Sequence, residues 1–71
     1  MPRSIYSKDY QAFIRKLREA RLSAGLTQVD VAQKLKKPQS YVSKIERGDR
    51  RVDIAELKEL ARHYKKSLDY F

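Results

Sequence analysis

The stretch PQSYVSKIERGDRR, residues 38–51, has the length and glycine stop of a short helix, yet it offers a core only two aliphatic residues, Val42 and Ile45. The helix is expected to run from about Pro38 or Gln39 to Arg47 and to stop at Gly48, with proline tolerated in the first turn because its missing N–H is not needed there. At about 100° per residue, Val42 and Ile45 define the inward direction. Ser40 and Arg47 fall almost opposite, Ser43 and Lys44 lie beside them, and Gln39 and Tyr41 occupy the flanks. The outward face therefore carries amide, hydroxyl, ammonium and guanidinium groups and no acid, the donors and acceptors that read base edges and phosphates in a major groove. A merely solvated helix face is also polar, so the surroundings have to discriminate.

Upstream, Thr27 opens a capping box with Asp30 at the third helical position, and a second short helix follows to about Lys36 with Val31, Ala32 and Leu35 facing inward. Only Lys36 and Lys37 separate it from Pro38. Before it, Tyr10, Phe13, Ile14, Leu17, Arg21 and Ala24 recur at three- and four-residue spacing, predicting a helix from about Ser7 or Lys8 to Ala24 that ends at Gly25. Downstream, GDRR is polar turn material, after which Asp53 caps a helix, Glu56 completes a second box and Val52 is stapled to Leu57. Ile54, Leu57, Leu60, Ala61 and Tyr64 form the expected buried stripe of that helix. Ser67 then reads as one more cap, with Leu68, Tyr70 and Phe71 behind it, for a fifth helix that is incomplete or needs a partner.

There is no strand-like alternation and there are only two glycines and two prolines, so the expected class is all-α, a compact bundle of four to five helices. The 71 residues are read as a single domain, 1–71, with an N-terminal arm over about 1–7 and a helix-turn-helix over about 27–48.

Charge narrows the function. Seventeen Lys and Arg against nine Asp and Glu give a formal net charge of +8, which points to a polyanionic partner. Residues 1–26 carry six basic and two acidic groups, residues 27–51 carry seven and three, and residues 52–71 carry four and four. The surplus is confined to the first two thirds, so the C-terminal part is expected to face away from the polyanion. Cysteine is absent, which excludes disulfides and thiolate metal sites and suits a reducing compartment. With neither a signal peptide nor a membrane-length apolar run expected, the chain is read as cytoplasmic, without membrane association. No enzyme activity, metal or cofactor is expected, because the only histidine, His63, has no nucleophile or acid pair to work with. An amphipathic membrane-surface helix is disfavoured, since the apolar stripes are already required for the core.

A capped helix, a tight turn and a second short polar helix ending at glycine, inside a strongly basic chain, match the helix-turn-helix motif. The segment GLTQVDVAQKLKKPQSYVSKIERGDRRVDIAELKELARHY closely resembles the lambda-repressor and Cro-like, or XRE, family of helix-turn-helix regulators. The stretches LREARLSAGLTQ, PQSYVSKIERG and RRVDIAELKELA carry the resemblance, which extends from roughly Phe13 to the end. It implies a sequence-specific double-stranded DNA-binding transcriptional regulator, expected to be a repressor, whose helix 39–47 enters the major groove.

By the same resemblance, Gln28 binds a phosphate at a helix N-terminus. Gln39 either binds adenine bidentately or braces Gln28. Ser40 and Lys44 match base-facing positions, with lysine reaching a guanine or a phosphate. Tyr41 and Ser43 lie nearer the groove wall, where backbone contact is expected, and partial core burial is an equal alternative for Tyr41. Arg47, Arg50 and Arg51 flank the helix and touch the DNA backbone, to which Lys37 adds phosphate-directed charge. On the wheels, Arg21 falls on an apolar stripe and Glu46 at the inward edge of its helix, so a partly buried structural ion pair explains both, and the resemblance implies the same pair. Where the family's turn has glycine this chain has Lys36, which is then expected in a left-handed conformation. A homodimer on a palindromic site is implied by the family. The end SLDYF either meets a symmetry mate or packs on its own core. The alternative function is a protein-interaction module, such as an antitoxin-like or phage-regulator component.

Overall fold

The computed structural model describes residues 7–71. The N-terminal arm expected over residues 1–7 lies, but for Ser7, outside the described residues. Among the described residues four helices follow in order, α1 (Lys8–Ser23), α2 (Gln28–Leu35), α3 (Gln39–Arg47) and α4 (Ile54–Tyr64), and then a 3-10 turn, Leu68–Tyr70. The described residues contain no strand.

Local chemistry sets the helix borders. Ser7 accepts the Tyr10 N–H and caps α1, and Thr27 with Asp30 and Asp53 with Glu56 form complete capping boxes at α2 and α4. In each box two N–H groups that lack helical partners are satisfied by side chains. The helices close by a shared device in which a left-handed residue turns the chain and the next N–H returns to a carbonyl of the last turn. Glycine fills that position after α3, where Gly48 has φ +80° and the Asp49 N–H reaches the Lys44 carbonyl at 2.9 Å. Lysine fills it after α2 and α4, where Lys36 (φ 58°) and Lys65 (φ 60°) are followed by returns from Lys37 to Ala32 and from Lys66 to Ala61. Lys36 thus adopts the strained backbone that its place in the turn demands.

The core joins all four helices through Ile14, Leu17, Ala20, Val31, Ala32, Val42, Ile45, Leu60 and Tyr64. In the packing order, α3 lies on both α2 and α1, α4 lies on α1, and the 3-10 turn lies on α4. Val42 and Ile45, the two aliphatic residues of α3, are both buried, so its inner face needs nothing more.

Two expectations change. Ile54 does not join the buried stripe of α4: it is the first residue of the helix and is 62% exposed. The chain end closes as one 3-10 turn rather than a fifth α-helix, and Ser67 stands at the cap position without a side-chain cap bond. Tyr70 and Phe71 fold back on the core, Phe71 meets Phe13 edge-on at 6.1 Å, and Lys16 Nζ donates to the Tyr70 carbonyl at 3.1 Å, while Leu68 stays exposed.

Candidate nucleic-acid interface

The outward side of α3 is built by default: once Val42 and Ile45 are buried, the helical period leaves Gln39, Ser40, Lys44 and Arg47 exposed. Ser43 and Tyr41 are half-buried on the flanks. Lys37 and Arg51 are exposed on either side of the helix, and Arg50 is half-buried.

What holds this face in place is a buried ion pair. Arg21 donates from Nε to Glu46 Oε2 at 2.7 Å and from Nη2 to Oε1 at 3.0 Å, with side-chain exposures of only 8% and 6%. Its Nη1 donates to the Leu26 carbonyl at 2.9 Å, which ties the α1–α2 corner to the same group. The hydrogen bond to Glu46 pushes the Arg21 pKa above its usual value, against the effect of burial. The tyrosine of α4, Tyr64, buried beside this pair, has its pKa raised by desolvation first and by the Glu46 charge second.

Glu46 also orders two amides. A carboxylate only accepts, so Gln28 turns its Nε2 toward Glu46 Oε1, at 3.0 Å, and its own oxygen away. Gln39 then donates from Nε2 to Gln28 Oε1 at 3.3 Å. One charge deep in the bundle thereby sets the polarity of a side chain on the surface. Gln39 keeps its carbonyl oxygen and a second N–H for an external partner.

The wall beside α3 is built differently, and sequence reading missed most of it. Arg50 forms a fork with Glu56, Nη1 to Oε1 at 3.0 Å and Nη2 to Oε2 at 2.7 Å, and its guanidinium carbon lies 4.6 Å from the Tyr41 ring centre. Tyr41 donates its hydroxyl to Glu56 Oε2 at 2.8 Å, and Lys37 Nζ sits 5.4 Å from the same ring. Burial and the Glu56 bond push the Tyr41 phenol up to about 12. Arg47 pairs with Asp49 at 3.0 Å, an exposed contact of little energetic weight. Tyr10, read only as an apolar residue of α1, uses its hydroxyl as a latch: it accepts from the Val52 N–H at 3.1 Å and donates to the Arg50 carbonyl at 3.4 Å. The Arg51 guanidinium lies 5.1 Å from the Tyr10 ring centre. The loop after α3 is therefore anchored to α1.

A short helix whose outward face carries no acid, set on a second helix through a three-residue turn and flanked by Lys37, Arg50 and Arg51, is the helix-turn-helix arrangement. The helix-turn-helix family model matches residues 17–71. The chain belongs to that family, of the lambda-repressor/Cro-like XRE type. Among curated proteins, none matches the chain at a significant level. The family is one of DNA-binding regulators. Among the described residues no helix is long and apolar enough to cross a membrane, and no group of three or more His, Cys, Asp or Glu side chains is arranged to hold a metal ion.

Proposed function

We propose that this protein is a sequence-specific regulator of transcription, a repressor, that binds double-stranded DNA by laying α3 in the major groove, as a homodimer on a palindromic site. The observation that carries the reading is the α3 face itself: Gln39, Ser40 and Lys44 are exposed together, and the one acid of the helix, Glu46, is turned inward onto Arg21. Gln39 offers an adenine edge the acceptor and donor it needs while its other N–H stays on Gln28. Bracing Gln28 and reading a base are compatible tasks. Lys44 and Ser40 contact neighbouring bases. Gln28, Lys37, Tyr41, Ser43, Arg47, Arg50 and Arg51 contact the sugar-phosphate backbone and supply salt-dependent affinity. A regulator of this kind works where the chromosome is, in keeping with the cytoplasmic location expected from the cysteine-free composition.

Selection of bound sequences from a randomised duplex pool tests the reading, followed by mass measurement of the selected complex. The expected result is one preferred palindrome with half-sites about one helical turn apart and two chains per duplex. Equal binding to duplex DNA, single-stranded RNA and anionic vesicles at two salt concentrations is the result that overturns it.

A further inference from the structure

Glu56 is an acid beside the proposed DNA-binding surface, and simple charge counting makes it an obstacle to a polyanion. Its surroundings say otherwise. As the third residue of α4 it completes the capping box, accepting the Asp53 N–H on Oε1 at 3.0 Å. The same carboxylate takes both terminal nitrogens of Arg50 and the hydroxyl of Tyr41. Four donors converge on one side chain, and three of them come from Tyr41 of α3 and Arg50 just after it.

The five N–H groups of Arg50 can be followed one by one. Two, from Nη1 and Nη2, go end-on to Glu56, and the second of Nη1 goes to the Arg51 carbonyl at 3.1 Å. The guanidinium carbon lies over the Tyr41 ring, 4.6 Å from its centre. What is left, without a partner among the described residues, is the Nε–H and the outer Nη2–H. These two are parallel and form the lateral fork of the guanidinium, the geometry that matches two oxygens of a phosphate. The Arg50 side chain is 38% exposed, and among the described residues no buried side-chain nitrogen lacks a partner, so the unpaired Nε is not enclosed.

We infer that Glu56 is a positioning residue for DNA binding: with Tyr41 it holds the guanidinium of Arg50 so that its lateral fork is preset for a backbone phosphate, and an acid thereby raises duplex affinity. The inference rests on the DNA reading above. Its physical basis is that a long side chain immobilised before the duplex arrives loses less rotamer freedom on binding.

The test is Glu56→Gln, which keeps an amide able to serve the capping box and removes the charge, with Arg50→Ala and the double variant alongside. Each is titrated with a mixed-sequence duplex of about two helical turns at several salt concentrations, and folding is followed by circular dichroism. Losing one phosphate contact is expected to weaken binding about eightfold at 0.1 M salt and to lower the salt slope by about 0.9. Glu56→Gln and Arg50→Ala are each expected to show that loss, and the double variant no more than either. Tighter or unchanged binding by Glu56→Gln, or losses that multiply in the double variant, overturns the inference while leaving DNA binding intact. Failure of the unaltered chain to bind duplex in a salt-dependent way overturns the DNA reading, and this inference with it. If Glu56→Gln melts below the assay temperature, Arg50→Lys decides. It keeps the charge and the helix cap but lacks the fork, and is expected to bind severalfold more weakly, whereas affinity equal to that of the unaltered chain overturns the inference.

Discussion

Two arginine–glutamate pairs frame α3 with almost the same bond lengths and opposite circumstances. Arg21 and Glu46 meet at 2.7 and 3.0 Å and are 8% and 6% exposed; Arg50 and Glu56 meet at 2.7 and 3.0 Å and are 38% and 21% exposed. Arg21 uses its lateral edge on the carboxylate and gives its remaining Nη1 to the Leu26 carbonyl. Arg50 uses its end and keeps the lateral edge open. The same two residue types thus do different work. Where water is excluded the pair is a fixed internal strut whose value lies in position, because neither charge tolerates being left alone. Where water has access the pair contributes less to stability, and its free edge becomes the useful part.

The harshest way to break this comparison is Glu46→Ala. It strands Arg21 in the core and releases Gln28 and through it Gln39, and it is expected to cost ~3–5 kcal/mol. For so small a domain that is a large share of the total stability. Urea unfolding measures it, and a cost no larger than that of Glu56→Gln would remove the distinction between the two pairs.

Lys44→Ala leaves both pairs in place and strips one side chain from the exposed face. Discrimination among duplex sites is expected to fall by about 1–3 kcal/mol, with the unfolding midpoint unchanged. Competition titrations between the selected palindrome and its single-base variants read the effect, and an unchanged ranking removes Lys44 from base reading.

Acid sharpens the comparison from the other side. The fork from Arg50, together with the bonds from Asp53 and Tyr41, holds the Glu56 carboxyl at about 2, below its usual 4.5. A depressed carboxyl contributes stability that is complete above about pH 4.5 and is lost as the pH falls through about 2. The loss is expected to be on the order of 1–2 kcal/mol once solvent screening around the open Arg50 is allowed for. Asp30, whose pKa is lowered by the Thr27 backbone and hydroxyl bonds, titrates in the same direction. Unfolding midpoints between pH 6 and pH 2 separate the two groups, because Glu56→Gln is expected to lose only the Glu56 part of the acid dependence.

The smallest effect comes from a position that touches neither pair. Lys36→Gly relieves a left-handed lysine between the two helices of the motif and is expected to stabilise by about 0.5–1 kcal/mol, with a higher urea midpoint and an unchanged slope. A destabilisation instead means that the Lys36 side chain contributes more than its backbone costs.

Much of this arrangement was legible before any coordinates. The capping boxes at Thr27 and Asp53 and the stop at Gly48 act within one helical turn, so a few adjacent residues suffice to read them. Arg21 and Glu46, the two charges that the helical wheels turned inward, do meet, and the signal was their conflict with the apolar pattern around them. Arg50 and Glu56 gave no such signal. Arg50 sits in a polar loop where a charge is ordinary, and Glu56 was already accounted for as a cap. Nor did the apolar spacing of Tyr10 reveal that its hydroxyl latches a loop forty residues away.

By itself the sequence determined where the helices begin and end, which stripe of each is apolar, and that the outward side of α3 carries no acid. These follow from hydrogen bonding and periodicity over a few residues. Only the tertiary structure decided which arginine became a strut and which kept a free edge, that the chain end folds onto its own core, and that Ile54 stays in solvent. Those outcomes depend on how far each side chain is removed from water and on what a distant segment brings beside it. Neither quantity exists until the helices have packed.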